Sequence, residues 1–433
     1  MSTKVKQKQT KLFQIICFCL FLIGFFISEL FWREPLHKIS IDFIEKFQNL
    51  VDKDVLKVLK YFRLIQFYPL LIFIIIIVYN FSNSYKTFVL ITVLHFSWGI
   101  SSILKMIYEG PRPYFESSSI EAFGCEAGWG NPSDYGIVAT SFYLTLWKVL
   151  IDNSRINKCI KYSLLTLCIT TIFILFFSTI ITGIHSFNQI IFGFIIGVLL
   201  YVLAFSIFDI NVHDYTQFLK ILNKYSFWIV INYFVIFILG ILLYNLRKYS
   251  EQDRWIERIN VKCSDRPINL RFHDEALIEL FYFFSSMPAI FSLKSELIFS
   301  FNANKKIWKE FNFDVSNLID ETGLLESTRM SINLNIKTQW NHTTAVISIV
   351  RIILSFFLTG IIFLPNILIR YDNNLLIVLF LKVLLPLLLF YYSLFYIFKG
   401  VFKIFKVSNF SLSVLNDSTN VYNTKFHQRI SLK

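Results

Sequence analysis

Ten apolar segments recur along this chain, and most of them approach the ~20 residues that an α-helix needs to cross a membrane. A bilayer offers no hydrogen-bond partners to the backbone, so segments of this length satisfy their N–H and C=O groups as helices. The pattern therefore predicts an all-α fold, a polytopic transmembrane helical bundle of about ten helices. The segments are residues 12–32, 64–79, 87–104, 136–150, 163–181, 187–208, 227–244, 276–293, 346–364 and 375–398.

Two of these segments fit a second interpretation. Segment 12–32 follows a basic stretch, as in a signal peptide, but its apolar part is long and no small-residue cleavage site stands out. We therefore predict a retained anchor. Segment 276–293 contains Glu279 and Pro288, so it is either a re-entrant segment or a helix buried among the others.

Loop charge predicts the orientation of the bundle. Cytoplasmic loops collect lysine and arginine, and four lysines precede the first segment, so we expect a cytoplasmic N-terminus. Alternation then places the basic loop 148–161 and the basic C-terminal tail on the same side. The stretch 105–135 and His185 fall on the opposite, luminal or extracellular, side. Because the basic residues are scattered between apolar segments, the net charge of +13 does not indicate nucleic-acid binding.

The regions of the chain follow from these segments. Apolar residues recur at helical spacing between residues 33 and 62, as in Phe43, Phe47, Val51, Val55 and Val58, which predicts a helix along the membrane surface. The predicted regions are 1–62, an N-terminal membrane anchor and luminal surface helix; 63–210, a catalytic core; 211–405, further transmembrane helices with a cytoplasmic insert at 294–340; and 406–433, a cytoplasmic tail.

Two cations stand at the polar end of segment 87–104. Lys105 is followed seven residues later by Arg112-Pro113. Charges at the mouth of a membrane helix are costly unless they reach the interface or meet an anion. On their own, Lys105 and Arg112 are also consistent with two interfacial side chains that extend their charged ends toward water. The second interpretation is a binding site for a phosphate ester, because lysine offers the ester a point charge and arginine offers it a planar fork of donors.

Two further polar pieces fall on the same predicted side. Pro132-Ser133 precedes segment 136–150, where a helix N-terminus would present N–H groups, and Ser133 a hydroxyl, to an anion. His185 stands between two segments, where a neutral imidazole can attack phosphorus. Each signal is weak alone, because many helices begin with Pro-Ser and many interfacial histidines have no role. Together with Lys105 and Arg112 they predict a phosphate-monoester site that forms a phosphohistidine.

Three local matches resemble the type-2 phosphatidic acid phosphatase (PAP2) superfamily, and within it the glucose-6-phosphatase family. Residues 105–114 resemble the first motif of that family, and residues 125–133 resemble its second. Residues 185–197 resemble the third, which in this branch has Gln, here Gln189, where most of the superfamily has Asp. Weaker similarity extends to about residue 392.

The resemblance implies a function and a location. Lys105, Arg112 and Ser133 would bind phosphate, and His185 would be the nucleophile, on a PAP2-type helical core without a cofactor. Like the glucose-6-phosphatases that it resembles, the protein would lie in the endoplasmic reticulum membrane with its site facing the lumen and would act in gluconeogenesis. Residues 255–280, which include Cys263, resemble the family's luminal loop. In an oxidising lumen we expect Cys125 and Cys263 to be close and bridged.

The chain departs from the family motif at two catalytic positions. The histidine that acts as general acid is Tyr135 here, preceded by Asp134 where Gly is usual, and the arginine of the third motif is Thr179. A general acid contributes roughly 10²–10⁴ in rate, and a phenol with a pKa near ~10 is a poor substitute. A lost contact to the phosphate costs ~2–4 kcal/mol in the transition state. Asp134 would act as the acid if burial raised its pKa.

The sequence leaves several functions open. The first is a phosphohydrolase that cleaves a sugar phosphate monoester with weak or altered activity, and the second is an inactive membrane protein that binds a phosphorylated ligand. A lipid phosphatase fits less well, because Gln189 and the helix count favour the sugar-phosphate branch. A secondary transporter would show paired broken helices in two halves, which we do not find. We expect the bilayer and a small phosphorylated molecule as partners, and no metal, since no His–carboxylate cluster has ligand spacing.

Overall fold

The computed structural model of the chain is almost entirely helical. In the described part of the chain, the β-type pairing is limited to one isolated antiparallel bridge between Gly110 and Asn131. The all-α prediction is confirmed. The structure describes residues 2–66, 68–81, 84–126, 128–152, 157–207, 215–247, 253–263, 272–295, 345–368 and 379–405.

Most helices are joined by short connections, and the loop 109–133 between α4 and α6 holds the single-turn helix α5. The α-helices are α1 Ser2–Leu50, α2 Lys53–Tyr61, α3 Tyr68–Phe81, α4 Ser84–Tyr108, α5 Pro113–Glu116, α6 Asp134–Trp147, α7 Lys158–Ile181, α8 Phe187–Ile207, α9 Tyr215–Arg247, α10 Asp253–Lys262, α11 Phe272–Ser285, α12 Ala345–Leu368, α13 Leu385–Phe395 and α14 Ile397–Ile404. A 3₁₀ turn, Phe62–Gln66, follows α2, and π-helical turns are found at Lys148–Asp152 and Leu379–Leu384.

Six helices of the described residues are long and apolar enough to cross a membrane, or seven if the bent pair Lys53–Gln66 and Tyr68–Asn80 forms one span. The prediction of a multi-pass bundle is confirmed, with fewer full-length spans than the ten predicted. Helix α6 is 14 residues long before it continues into a π-helical turn, and segment 375–398 is described only from residue 379. The six are Lys86–Tyr108, Lys158–Ile181, Phe187–Ser206, Ser226–Leu246, His273–Ser295 and Val346–Leu364.

The N-terminal region differs from its prediction. We expected an anchor at 12–32 and then a separate surface helix, but α1 continues to Leu50. Its second half finds partners in the bundle: Phe43 packs against Phe187 at the start of α8, with ring centroids 5.2 Å apart. Burial against α8 therefore extends the helix beyond the anchor. The surface character is kept by the short helix α2, where Val55 is half exposed.

Helices α4, α6, α8 and α11 form the centre of the bundle. α6 and α8 approach closely because Gly136 faces Gly193, and a Cβ on Gly193 would lie 2.4 Å from the carbonyl oxygen of Ser133. Small residues allow such close crossings in membrane proteins. The crossing places the first turn of α6 beside the first turn of α8. Segment 276–293 lies in α11 and in residues 287–295 and is mostly buried, as one of its two interpretations predicted.

Most of the predicted cytoplasmic insert and the whole predicted tail lie outside the described residues. The structure describes residues 294 and 295 of the insert 294–340 and none of the tail 406–433. The boundaries of the four predicted regions stay a prediction.

Candidate active site

Two loops and the first turn of α8 meet at one end of the central helices. In the loop 109–133, here called the Arg112 loop, the N–H of Gly130 donates to the carbonyl of Gly110 at 2.8 Å. The loop 182–186, here called the His185 loop, leads into α8. From the first turn of α8, Gln189 Nε2 donates to the carbonyl of Pro111 at 2.7 Å. The three motif pieces singled out in the sequence are therefore neighbours in the structure.

His185 is fully buried and held through its Nδ1 atom. That atom lies 3.0 Å from the carbonyl oxygen of Gly130 and 3.3 Å from Gln189 Oε1. Both oxygens can only accept, so Nδ1 carries the proton and the lone pair is on Nε2. Burial and the nearby Arg112 charge lower the pKa of His185. The ring is therefore neutral near pH 7, and its basic nitrogen lies 3.2 Å from Arg112 Nη1.

Arg112 is fully buried and engages acceptors on all sides of its guanidinium group. Nε donates to the carbonyl of Gly128 at 2.6 Å, Nη1 lies 2.8 Å from Glu126 Oε2, and Nη2 lies 3.3 Å from Glu275 Oε1. Burial alone would lower the pKa of Arg112, but the two carboxylates outweigh it and raise the pKa above its usual value. The fork that a phosphate would occupy thus binds carboxylates of the protein itself.

Lys105 is buried among three carboxyl groups. Its Nζ lies 2.6 Å from Glu279 Oε1, 3.2 Å from Asp134 Oδ1 and 3.8 Å from Glu275 Oε1. These three groups present oxygens within 4.8 Å of one another, the spacing of a cation site. The sequence analysis found no metal-type cluster, because the members lie on α6 and α11, far apart in the chain. The cation among them is the ammonium group of Lys105.

Asp134 stands between Lys105 and His185. Its Oδ1 lies 3.4 Å from His185 Nε2. Burial would raise the pKa of Asp134, but the charge of Lys105 outweighs it and lowers the pKa below the usual range. The hypothesis that the pKa of Asp134 is raised is therefore wrong, because the net shift is downward. Asp134 is a carboxylate near pH 7 and has no proton to donate.

Tyr135 lies next to His185. Its ring centroid lies 5.5 Å from that of His185, and its hydroxyl donates to Glu126 Oε1 at 2.6 Å. Burial, together with the charges of Glu126 and Asp134, raises the pKa of Tyr135 well above its usual value. The phenol is thus an even weaker acid than a free tyrosine, and its proton is directed at Glu126.

Thr179 and Ser133 are both buried and both used structurally. Thr179 Oγ1 donates to the carbonyl of Phe176 at 2.9 Å, and its own carbonyl accepts the N–H of His185 at 3.2 Å. Thr179 therefore supports the His185 backbone but brings no charge. Ser133 Oγ accepts the N–H of Gly136 at 3.2 Å and caps α6. Its hydroxyl proton is available to an anion at the α6 N-terminus.

Three charged residues of the site were not predicted as members of it. Glu275 and Glu279 of α11 contact the two cations, and Arg63 Nη1 lies 2.9 Å from Glu126 Oε1. The acidic residue in the apolar segment 276–293 was the available signal for Glu279, because an ionisable residue within a membrane segment is by default a functional candidate. With them, four carboxyl groups surround three cations, counting Glu126, Asp134 and the two glutamates against Arg63, Lys105 and Arg112.

A disulfide joins the Arg112 loop to the end of α10. Cys125 and Cys263 are bonded, with their Cα atoms 5.8 Å apart and a sequence separation of 138. Cys125 precedes Glu126, the carboxylate that connects Arg63, Arg112 and Tyr135. The bond therefore fixes the chain directly beside the site, at a pair that the sequence analysis expected to be bridged.

Removing this bond is expected to lower stability strongly. In the chain-entropy model, opening a loop of 138 residues costs about 4–5 kcal/mol. Cys263→Ser should therefore lower the thermal unfolding midpoint in detergent, and a reducing agent should lower that of the wild type equally. Cys159→Ser is the matched control, since Cys159 is exposed and free. A midpoint that reduction leaves unchanged would show that the bond does not stabilise the fold.

Comparison with known protein families supports the superfamily part of the resemblance. A search of the curated proteins and a search of the solved structures find no match. The family model described as the PAP2 superfamily matches residues 86–212. This stretch runs from α4 through α8 and contains Lys105, Arg112 and His185. Residues 86–212 therefore match the PAP2 superfamily, and the apolar helices are those of a multi-pass membrane protein.

Proposed function

We propose that this protein is a membrane phosphohydrolase that cleaves a phosphate monoester through a phosphohistidine at His185. One observation carries the proposal. The Nδ1 atom of His185 is anchored on the carbonyl of Gly130, and the unprotonated Nε2 accepts a hydrogen bond from Arg112 Nη1 at 3.2 Å. A neutral, oriented imidazole beside a guanidinium group is the arrangement that nucleophilic attack on a phosphoryl group requires.

The proposed reaction has two steps. Nε2 of His185 attacks phosphorus, so that the N–P bond forms while the P–O ester bond breaks and its electron pair stays on the leaving oxygen. Water then attacks the phosphohistidine, releases phosphate and returns the electron pair to Nε2, while its proton neutralises the leaving alkoxide. Arg112 and Lys105 would hold the phosphoryl oxygens, which take the places of Glu126 and Asp134 on the two cations.

Slow turnover is part of the proposal. Tyr135 and the ionised Asp134 cannot protonate an alkoxide efficiently near pH 7, and Thr179 brings no charge to the phosphate. The leaving group must therefore depart without a general acid of the protein, which removes a factor of roughly 10²–10⁴. The resemblance to glucose-6-phosphatases supports a sugar phosphate such as glucose 6-phosphate as substrate, and the lumen of the endoplasmic reticulum as its compartment.

The second candidate is a membrane protein that binds a phosphorylated ligand without hydrolysing it. The observation that favours it is the number of carboxyl groups in the site. Glu126 and Glu275 contact Arg112, while Asp134 and Glu279 contact Lys105, so the protein supplies its own anions to both cations. A phosphate must displace some of these contacts, which weakens its binding and slows the chemistry.

Phosphate release from glucose 6-phosphate by the purified protein in detergent separates the two candidates. Wild-type activity should exceed that of His185→Ala, which should fall to the level of protein-free micelles, and rapid acid-free quenching should trap a phosphohistidine in the wild type alone. His95→Ala is the matched control, because His95 is equally buried on α4 but contacts Tyr68 and Tyr391 instead of the site.

Each result decides between the candidates. Equal release by the wild type and His185→Ala, with no trapped phosphohistidine, would exclude hydrolysis and leave the ligand-binding function. Phosphatidic acid, tested in parallel, shows whether a lipid phosphate is preferred over the sugar phosphate. Faster release from the lipid would replace the proposed substrate but keep the proposed nucleophile.

A further inference from the structure

We infer that helix α1, which precedes the PAP2-superfamily domain, is part of the proposed active site and holds the His185 loop and the Arg112 loop at a fixed separation. Ser40 and His37 are its positioning residues. The catalytic consequence rests on the proposed function, whereas the contacts themselves do not. The matched domain begins at residue 86, so α1 lies outside it.

Ser40 fixes the start of α8 from outside the domain. Its side chain is fully buried, its Oγ accepts the N–H of Phe187 at 2.8 Å, and its hydroxyl donates to the carbonyl of Leu36 at 2.7 Å. The first N–H groups of a helix have no partner within the helix and need an external acceptor. Phe187 is the first residue of α8 and lies two positions after His185. Ser40 therefore sets the backbone position next to the nucleophile.

His37 contacts both loops at once. Its Nδ1 lies 2.9 Å from Ser186 Oγ, and its Nε2 lies 3.1 Å from Glu116 Oε2. Ser186 is adjacent to the nucleophile, and Glu116 lies four residues after Arg112. One side chain of α1 therefore bridges the segment that carries the nucleophile and the segment that carries the phosphate-binding arginine.

Gln48 repeats this bridge about three turns further along α1. Its Nε2 donates to the carbonyl of Ile181 at 2.9 Å, and its Oε1 accepts the N–H of Glu121 at 2.9 Å. Ile181 ends α7 just before the His185 loop, and Glu121 belongs to the Arg112 loop. The same face of α1 also carries Ile44, which is fully buried. The helix is therefore fastened to both loops along its length.

These bridges matter because Arg112 and the reacting nitrogen of His185 are joined only by longer contacts, although His185 Nδ1 is held at 3.0 Å by Gly130 of the Arg112 loop. Arg112 Nη1 lies 3.4 Å from the carbonyl oxygen of Ile184, at the limit of a hydrogen bond, and 3.2 Å from His185 Nε2. A displacement of about 1 Å at a reacting group can cost on the order of 10²-fold in rate. Contacts that hold the two loops together therefore set the geometry of phosphoryl transfer.

The test compares two serines of α1 with the same chemistry and different partners. Ser40→Ala removes the acceptor of Phe187, while Ser28→Ala removes a hydroxyl that donates within its own helix, to Phe25 at 2.8 Å. Two quantities are measured in detergent: hydrogen–deuterium exchange of residues 181–187, and affinity for orthovanadate, an oxyanion of phosphate shape. Ser40→Ala should raise the exchange and weaken vanadate binding on the order of tenfold, and Ser28→Ala should change neither.

A second variant tests the bridge itself. His37→Asn keeps a nitrogen near Ser186, but its side chain is too short to reach Glu116. Hydrogen–deuterium exchange should therefore rise in residues 113–121, and it should rise by a smaller amount in residues 181–187. If Ser40 positions the His185 loop, Ser40→Ala should lower kcat with little change in KM in turnover assays. General destabilisation of the protein would instead lower the amount of active protein in both Ser40→Ala and Ser28→Ala.

The outcomes separate this inference from the proposed function. Unchanged exchange in Ser40→Ala, or raised exchange with unchanged vanadate affinity, would overturn the positioning role. If His185→Ala binds vanadate as well as the wild type does, the proposed function fails. The exchange data then still decide whether α1 holds the two loops together.

Discussion

Replacing Tyr135 with histidine should raise the rate of His185-dependent phosphate release from glucose 6-phosphate on the order of 10²-fold near pH 7. The expected gain is the lower end of the contribution of a general acid, since the surrounding residues are not arranged for an imidazole. The structure places the side chain of residue 135 beside the nucleophile, with the two rings 5.5 Å apart. An imidazole there would titrate near neutral pH, unlike the phenol, whose pKa is raised by burial.

Two controls show whether the gain is due to proton donation. Tyr135→Phe removes the hydroxyl that donates to Glu126 and should give no gain. For p-nitrophenyl phosphate, whose leaving group needs no proton, Tyr135→His should give a much smaller gain than for glucose 6-phosphate. An equal gain on both substrates would contradict the acid role. Thermal unfolding of each variant shows whether the fold is kept.

The fold class and the meeting of the three motif pieces could be predicted, because each rests on local information. Apolar runs of helical length specify membrane helices without reference to any partner. The first and second motif pieces lie within one loop, and the third lies between two consecutive spans. Short connections therefore bring Lys105, Arg112 and His185 to the same end of the bundle.

What the sequence did not predict depends on contacts between distant segments. Glu279, a partner of Lys105 on α11, lies 174 positions further along the chain, and no pattern in the sequence connects the two residues. The direction of the Asp134 pKa depends on the same contact geometry, since burial and a neighbouring ammonium group act in opposite directions. The continuation of α1 to Leu50 likewise depends on the faces of α7 and α8 that it covers.

The charges in the site fit the two departures from the motif that the chain resembles. A buried lysine and a buried arginine need counterions when no phosphate is bound, because an unpaired charge in a membrane bundle is costly. Asp134, which stands where the resembled motif has glycine, supplies one of those counterions to Lys105 at 3.2 Å. The same carboxylate repels a phosphate. A site changed in this way is more stable without its ligand and binds the ligand less tightly.

Replacing Asp134 with asparagine should therefore tighten the binding of orthovanadate roughly 100-fold near pH 8. A carboxylate and an anionic oxygen about 5 Å apart repel each other by about 3 kcal/mol at an effective dielectric constant of ~20, which corresponds to that factor. Lys105 would also lose a counterion and attract the oxyanion more strongly. Thermal unfolding checks the fold, because removing one partner of a buried ion pair destabilises proteins.

The pH dependence gives the same prediction a second, independent measurement. Asp134 is ionised in the free site because its pKa is lowered, and a bound oxyanion about 5 Å away would raise that pKa by about two units. The carboxylate therefore stays ionised between about pH 8 and about pH 5, and the roughly 100-fold difference in affinity between Asp134→Asn and the wild type should persist across this range. Asp274→Asn is the matched control, since Asp274 is buried on α11 but bonded to Tyr244. A ratio near one across this range would show that the Asp134 charge does not oppose the ligand.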